Sequence, residues 1–355
     1  MGRIEEDFHP PIRRLLTMTQ QKSQSRTVRV AAVQYAPDLE TTEATLRRVL
    51  DAVAEAAAKG AQLVVFPETF IPHYPYFSAV LAPAAMGAEQ NRLYENAVRI
   101  PGPVTDALSE AARRHRIVLA VGVTERDHGS LYNTQLIFDV DGSLIQKHRK
   151  ISPAPHERLI WDEGDGTSIK VVESTVGRLG ALTCWEHYNP LARFSLIAQH
   201  EEIHISTYIG SIFGPVFSKQ TETQLMNHAL ESGCFVVNAT AWLTDEQRAR
   251  IVDDPDMQKV LTGGCMTAII GPDGQHIVPP LTDGEGILIA DLDFSEITNA
   301  KRTRDSVGHY SRPDLFSLAV HSKPTPHIRS IASSETVRRD ADVVGDTATS
   351  PEQEA

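Results

Sequence analysis

The chain has 355 residues, of which 41% are hydrophobic and 23% are charged, a balance typical of a globular protein rather than a disordered or fibrous one. Its 46 acidic residues outnumber 34 basic ones, and the net charge of -12 argues against binding to nucleic acid or an anionic membrane. No segment approaches 18 consecutive apolar residues, so we expect no membrane span. The cysteines at 184, 234 and 265 exclude a disulfide framework. Together with the lack of an apolar leader before Arg26, they predict a cytoplasmic protein with reduced thiols.

The apolar pattern predicts three parts. Residues 1–26 lack periodic apolar positions, and we expect a flexible N-terminal arm. The folded body should cover residues 27–318. Residues 319–355 contain no aromatic side chain, and five acids with no Lys or Arg follow from Asp340 to Ala355. Such a segment buries too little apolar surface to offset its ordering entropy, so we expect an acidic, disordered tail.

In chain order, the first elements predicted are a strand at Val28–Tyr35, a helix at Thr42–Lys59, a strand at Leu63–Phe66, a helix at Thr105–Arg116 and a strand at Ile117–Val123. A hairpin follows, in which Leu131–Val140 and Leu144–His148 flank Asp141-Gly142. Next come a strand at Leu179–Thr183, helix Pro190–His200, strand Ile203–Ser206, helix Ser218–Ser232, strand Cys234–Ala239 and a second hairpin from Met266–Ile270 to His276–Pro279. The alternation predicts an α/β protein with a mixed sheet, layered sheets and outer helices.

Two predicted strands end at a charged side chain. Glu68 follows the apolar strand Leu63–Phe66, and it is either a solvated acid or a carboxylate whose pKa is raised in an apolar site. Lys150 follows Leu144–His148, where a basic sheet edge that discourages strand pairing is the alternative. Ligand sites of α/β sheets assemble at the carboxyl ends of strands, which favours a functional interpretation of both.

Cys184 ends the third such strand, Leu179–Thr183, just before the predicted helix at Pro190. A helix N-terminus and a nearby cation would lower the pKa of this thiol and supply a thiolate nucleophile. The alternative is a small buried hydrophobic residue, an interpretation that suits Cys234 better. No local pattern identifies a histidine base for Cys184, and no His, Cys and Asp residues show the spacing of metal ligands.

Five segments in this order resemble the nitrilase branch of the carbon–nitrogen hydrolase superfamily. They are FPETFIPHYPYF (66–77), HRKISPAPHERLIWDEGDG (148–166), GALTCWEHYNPLARFSL (180–196), ALESGCFVVNAT (229–240) and DSVGHYSRPDL (305–315). The Cys-Trp-Glu sequence at 184–186 is similar to that of nitrilases, whereas aliphatic amidases of the family tend to have Tyr-Asp after the cysteine.

The resemblance implies an α-β-β-α four-layer sandwich. It also implies that Cys184 is the nucleophile, Glu68 the general base and Lys150 the cation that stabilises charge on the reacting nitrogen. Glu157 matches a second carboxylate, which would orient Lys150 or the hydrolytic water. The expected reaction converts a nitrile to a carboxylic acid and ammonia through a thioimidate and a thioester, with no cofactor and no metal.

By comparison with relatives, the segment that contains Tyr208 should lie close to the substrate pocket. Tyr74 and Trp185 are further candidates to line that pocket, with core packing as the alternative for both. An amidase or carbamoylase of the same superfamily is the alternative enzyme, and a filament-forming structural protein with a decayed site is the alternative of another class. Relatives form dimers that continue into larger oligomers or spirals. We expect a homo-oligomer assembled through the Pro190 helix, which carries Leu191, Phe194, Ser195 and Ala198 on one face.

Overall fold

The computed structural model describes residues 26–324 of the chain. The strands are β1 (Thr27–Gln34), β2 (Leu63–Val65), β3 (Val118–Asp127), β4 (Ser130–Phe138), β5 (Leu144–Arg149), β6 (Val172–Ser174), β7 (Gly177–Thr183), β8 (Ile203–Tyr208), β9 (Phe235–Thr240), β10 (Ala268–Ile270) and β11 (Gly286–Asp293). The helices are α1 (Thr42–Ala58), α2 (Phe77–Val80), α3 (Gly87–Asn96), α4 (Pro103–His115), α5 (Pro190–Ile197), α6 (Gly214–Ser232), α7 (Asp245–Ile251), α8 (Pro255–Val260) and α9 (Ser295–Thr303). Among these residues, no helix has the length and apolar character needed to cross a bilayer.

The strands form two mixed sheets. A six-stranded sheet has the order β11-β1-β2-β3-β4-β5, and a five-stranded sheet has the order β10-β9-β8-β7-β6. Strands β1, β2 and β3 run parallel to one another, as do β7, β8 and β9, whereas the outer strands pair antiparallel. The parallel centre of each sheet explains the short, continuous apolar runs of the sequence, because such strands are buried on both faces.

Alternate residues of β1 illustrate how the layers pack. Ala31 and Val33 belong to a cluster formed with apolar residues of α1 and α4. Val30 and Ala32 belong to a second cluster, which includes Ile205 of the other sheet. Helix α6 covers the outer face of the five-stranded sheet through a third cluster. Because side chains alternate across a strand, each sheet has one face toward the other sheet and one toward helices. The architecture is the expected α-β-β-α sandwich.

The sequence pattern misses or misplaces several elements. Strand β11 and helix α9 are absent from the predicted elements. Strand β11 escapes prediction because it is mostly half-buried and its partner β1 lies about 250 residues away, with Gln34 opposite Gly286. Helix α5 ends at Ile197 rather than His200, and the return strand of the second hairpin is reduced to isolated bridges. The predicted arm (1–26) and tail (319–355) fall outside the described residues, apart from residue 26 and residues 319–324.

Candidate active site

The fold brings the predicted catalytic side chains together between the two sheets. Glu68 lies just beyond β2, Lys150 directly after β5 and Cys184 directly after β7. The Lys150 ammonium Nζ donates to Glu68 Oε1 and to Glu157 Oε2, both at 2.7 Å. All four side chains are at most 2% exposed. Buried charges persist in proteins only when they are paired, so this cluster is a built site and not a solvated sheet edge.

Two neighbours fix the position of Glu68. Asn133 of β4 donates its amide to Glu68 Oε1 at 2.7 Å. The loop that carries Glu68 crosses β3 at Gly122, where a Cβ atom would overlap the backbone of Pro67 and Thr69. The other carboxylate oxygen, Glu68 Oε2, has no hydrogen-bond partner among residues 26–324. It therefore retains a lone pair that can accept a proton.

Glu157 is held more completely than Glu68. It opens a short 3-10 turn, and its Oε2 atom accepts the backbone amide of Ala154 as well as the Lys150 ammonium, both at 2.7 Å. Its Oε1 atom accepts the Tyr74 hydroxyl at 2.8 Å. Burial opposes ionisation of Glu157, but the charge of Lys150 and these donors outweigh burial and lower its pKa. Glu157 is thus a permanent carboxylate.

The pKa of Glu68 shifts in the opposite direction. Burial raises it to about 7, and the Glu157 charge adds to this effect, whereas Lys150 opposes it. Burial also disfavours the ammonium of Lys150, but Glu157 and Glu68 overcome that cost and raise its pKa well above normal. Two carboxylates with divergent pKa values, joined by one cation, are the arrangement expected where one acts as a base and the other as a fixed charge.

The structure corrects one expectation about Cys184. Burial and the neighbouring Glu68 carboxylate raise the pKa of its thiol well above normal, even though Lys150 acts in the opposite direction. At rest the Cys184 side chain is therefore a thiol, not a preformed thiolate. The thiolate must form when a base takes its proton, and the Cys184 thiol interacts with the Glu68 carboxylate.

Glu186 is a buried carboxylate of the site that the sequence analysis did not single out. It lies in the nucleophile turn, which we define as the 3-10 turn Cys184–Tyr188. Its carboxylate accepts the backbone amide of Thr183 at 2.6 Å and that of Ile151 at 2.8 Å. The side chain therefore links the residue before the nucleophile to the residue after Lys150. The only sequence signal was the acid of Cys-Trp-Glu, and nothing in the sequence indicated its partners.

The three predicted substrate residues belong to one apolar cluster with Cys184. Tyr74 is fully engaged, because its hydroxyl contacts Glu157 and the His156 ring nitrogen. Trp185 is half-buried and packs against Tyr188 and Phe217. Tyr208 is completely buried, yet its hydroxyl has no hydrogen-bond partner among residues 26–324. The Tyr74 hydroxyl is thus engaged by side chains of the site, whereas no described residue occupies the Tyr208 hydroxyl, which can bond a ligand.

The remaining histidines and cysteines are also placed by the fold. Cys234 and Cys265 are buried free thiols. The Ser232 hydroxyl donates a hydrogen bond to Cys234 Sγ, and the Ser211 backbone amide donates one to Cys265 Sγ. Glu201, His204 and His228 bring their polar atoms within 4.8 Å of one another. Glu201 and His204 lie three positions apart, but His228 lies 27 positions beyond Glu201, so the sequence carried no spacing signal for this group.

Comparisons with known proteins identify the family of this chain. The family model described as carbon-nitrogen hydrolase matches residues 29–302. A nitrilase from Paraburkholderia phymatum is 59% identical over 302 residues, which cover 85% of this chain and 89% of that protein. An aliphatic nitrilase from Rhodococcus rhodochrous is 41% identical over 87% of each chain. The crystal structure of a carbon–nitrogen hydrolase from Helicobacter pylori shares the fold, with a TM-score of 0.66 at 21% identity over 82% of this chain and 97% of that chain. This chain therefore belongs to the carbon–nitrogen hydrolase family and, within it, to the nitrilase branch.

Proposed function

We propose that the chain hydrolyses an organic nitrile to a carboxylic acid and ammonia, with Cys184 as nucleophile, Glu68 as general base and Lys150 as the stabilising cation. The observation that carries this assignment is the Lys150 ammonium held between two buried carboxylates of opposite pKa shift, next to a buried thiol. This arrangement can remove a proton from sulfur and place a positive charge beside a nitrogen that gains negative charge.

The reaction begins when Glu68 takes the Cys184 proton and the sulfur attacks the nitrile carbon. The nitrile nitrogen gains that proton, and the covalent adduct is a thioimidate whose nitrogen is stabilised by the Lys150 ammonium. A first water, deprotonated by Glu68, adds to the same carbon. The nitrogen then leaves as ammonia and a thioester remains. A second water hydrolyses the thioester, which releases the acid and restores the thiol. One nitrile and two waters thus give one acid and one ammonia.

Glu157 orients Lys150 in this scheme and does not handle water. Both of its oxygens are already occupied, one by Tyr74 and the other by Lys150 and the Ala154 amide. Three donors fill most of the roughly four lone-pair sites of this carboxylate, so it is poorly placed to activate water. Its fixed charge instead keeps Lys150 protonated. Tyr208, with its unpartnered buried hydroxyl, is a better candidate to hydrogen-bond substrate.

The rate of hydrolysis should rise with pH through about 7. Glu68 is a base only when ionised, and burial raises its pKa to about 7. A raised carboxyl pKa means that the proton stays bound below that value, so kcat/KM should fall about tenfold per pH unit on the acid side. Ammonia release measured across the range, with circular dichroism to confirm folding at each pH, tests this. A rate that stays constant through this range would contradict the role of Glu68 as base.

An ammonia-release screen tests the reaction class. Each nitrile in the panel, aliphatic or arylacetic, is paired with its amide, and the two rates are compared. We expect turnover of nitriles, particularly those with an apolar substituent, because aromatic side chains surround Cys184. Much faster turnover of the amides would favour an amidase or carbamoylase. No turnover, with no preferential alkylation of Cys184 over Cys234, would favour a decayed structural protein.

We propose that the enzyme is a cytoplasmic homo-oligomer, built from dimers that extend into spirals or filaments. Its three cysteines are free, as expected in a reducing compartment. Helix α5, which directly follows the nucleophile turn, exposes Leu191 and Phe194, although Ser195 is buried and does not contribute to this face. A second copy on this face would cover the apolar side chains and support the nucleophile turn.

Replacing Phe194 with Asp should dissociate the assembly and lower activity. Phe194 is 38% exposed, and a charge buried without a partner at an interface costs several kcal/mol. Leu144→Asp is the matched control, because Leu144 is 40% exposed and lies on β5 instead of α5. Light scattering after size-exclusion chromatography, combined with turnover, reads out the result. A fully active monomer, wild type or variant, would refute an assembly that supports the site.

A further inference from the structure

The backbone of Cys184 needs external support. Its φ angle is 53°, in the left-handed region that non-glycine residues rarely adopt. Such a conformation is strained and persists only where surrounding contacts impose it. One contact on the nucleophile itself is the hydrogen bond from His187 Nδ1 to the Cys184 carbonyl oxygen, at 2.7 Å. His187 plays no part in the chemistry described above.

His187 begins a chain of buried contacts that leads away from the substrate. Its Nε2 atom lies 2.9 Å from His204 Nε2, and His204 Nδ1 lies 2.8 Å from Glu201 Oε2. Glu201 Oε1 in turn lies 2.7 Å from His228 Nε2. These contacts connect the nucleophile turn to β8 and α6, and all four side chains are at most 1% exposed. Strand β7 has Gly180 beside the chain, where a Cβ atom would overlap the Glu201 carboxylate.

The four contacts from the Cys184 carbonyl to His228 require a definite number of hydrogens. A carbonyl oxygen only accepts, so His187 Nδ1 must carry a hydrogen. Each of the four contacts needs one hydrogen, whereas three neutral histidines supply three. The fourth belongs either to the Glu201 carboxyl or to an imidazolium. When all four hydrogen bonds are formed, the group of three histidines and Glu201 is electrically neutral as a whole, and the tautomer of His187 is fixed.

The fourth hydrogen is the least firmly held. Burial lowers the pKa of His204 to about 4, which disfavours an imidazolium. Burial also opposes ionisation of Glu201, but His204 and His228 outweigh it and lower the pKa of that carboxyl. A side chain at position 201 that carries the hydrogen permanently should therefore maintain these hydrogen bonds at least as well as glutamate does. Glutamine, with one accepting oxygen and one donating NH₂ group, meets this requirement.

We propose that His187, His204, Glu201 and His228 form a positioning relay that holds the Cys184 carbonyl, and with it the nucleophile, in its left-handed conformation. The inference rests on the proposed role of Cys184. The relay does not touch substrate. Its effect is to place the sulfur for attack, so its loss should lower kcat and leave KM nearly unchanged.

The same group has the composition of a metal site, but its contacts favour a hydrogen-bonded relay. Both Glu201 oxygens are within 2.8 Å of an imidazole nitrogen, the separation of hydrogen-bond partners. Two ligands each about 2.0–2.2 Å from a shared tetrahedral zinc ion would lie more than 3 Å apart. Replacing the charge of Glu201 separates the two interpretations, since a metal ligand needs the carboxylate and the relay does not.

The test compares two pairs of variants. His187→Phe keeps a ring to stack on Tyr208 but removes the donor, whereas His187→Asn keeps an N–H group near the Nδ1 position. Glu201→Met breaks the relay, whereas Glu201→Gln preserves every contact. We expect the Phe and Met variants to lose about 10- to 10²-fold in kcat with KM within about threefold. The Gln variant should stay within about threefold of wild type. The Asn variant keeps the donor to the Cys184 carbonyl but loses the contact with His204, so it should recover only part of the loss.

Several results would overturn the relay. They are a Phe variant with normal kcat, an Asn variant no better than Phe, a Gln variant as impaired as Met, or stoichiometric zinc in the purified wild-type enzyme by elemental analysis. If Glu201→Met does not fold, as judged by thermal melting, the His187 pair decides alone. A wild-type enzyme that fails the nitrile screen, or a fully active Cys184→Ser variant, would instead refute the proposed function.

Discussion

Replacing Cys184 with serine should abolish nitrile hydrolysis and leave the fold intact. The substitution changes one buried atom, so the sandwich has no reason to rearrange. The chemistry changes more, because the resting nucleophile must lose a proton to Glu68 before it attacks. A serine hydroxyl is far less acidic than a thiol, so a carboxylate with a pKa of about 7 cannot deprotonate it effectively. We expect a loss of at least about 10²-fold in kcat.

Cys234→Ser is the matched control for this experiment. Cys234 is also a buried free thiol, but it is bonded to Ser232 and lies outside the site. Its substitution should change the melting temperature more than turnover. Ammonia release and thermal melting, measured for both variants, separate chemistry from stability. If Cys184→Ser kept more than about 1% of wild-type turnover, Cys184 would not be the nucleophile.

Replacing Glu68 with glutamine should also lower turnover by at least about 10²-fold, the usual contribution of a general base. A glutamine oxygen can still accept from Asn133 and Lys150, as Glu68 Oε1 does at 2.7 Å. Its NH₂ group would then occupy the place of Oε2, the atom that has no partner among the described residues. An amide there cannot take the thiol proton. Shape and most contacts are kept, and the base is lost.

Glu125→Gln provides the control for losing a buried, paired carboxylate. Glu125 is 2% exposed and accepts hydrogen bonds from Lys147, Arg149 and Thr134, on the face of β5 opposite Lys150. Breaking a buried ion pair is strongly destabilising, so this variant should melt at a lower temperature but keep turnover within a few-fold. Near-native turnover by Glu68→Gln, with normal folding, would require another residue to be the base.

The sequence determined the parts of this protein that depend on local pattern. Continuous apolar runs identified central strands such as β2, and the residues that follow them, Glu68 and Cys184, were recognised as candidates before any contact was known. The ordered motifs predicted the sandwich and its family. Because side chains alternate along a strand, His148 and Lys150 share one face of the sheet edge, and both side chains are buried. These features follow from periodicity and from residues a few positions apart.

Only the tertiary structure decided which groups meet and how they are charged. The Glu186 contact to Ile151 spans 35 positions in sequence. Within the relay, the contacts His187–His204 and Glu201–His228 span 17 and 27 positions, and no spacing rule selects the neighbours Glu201 and His204. Nor could the sequence give the direction of the pKa shift of Cys184. The nearby cation was predicted, but the full burial that outweighs it was not. Burial and long-range pairing are properties of the packed layers, and in a buried site the desolvation they impose exceeds what any local motif reveals.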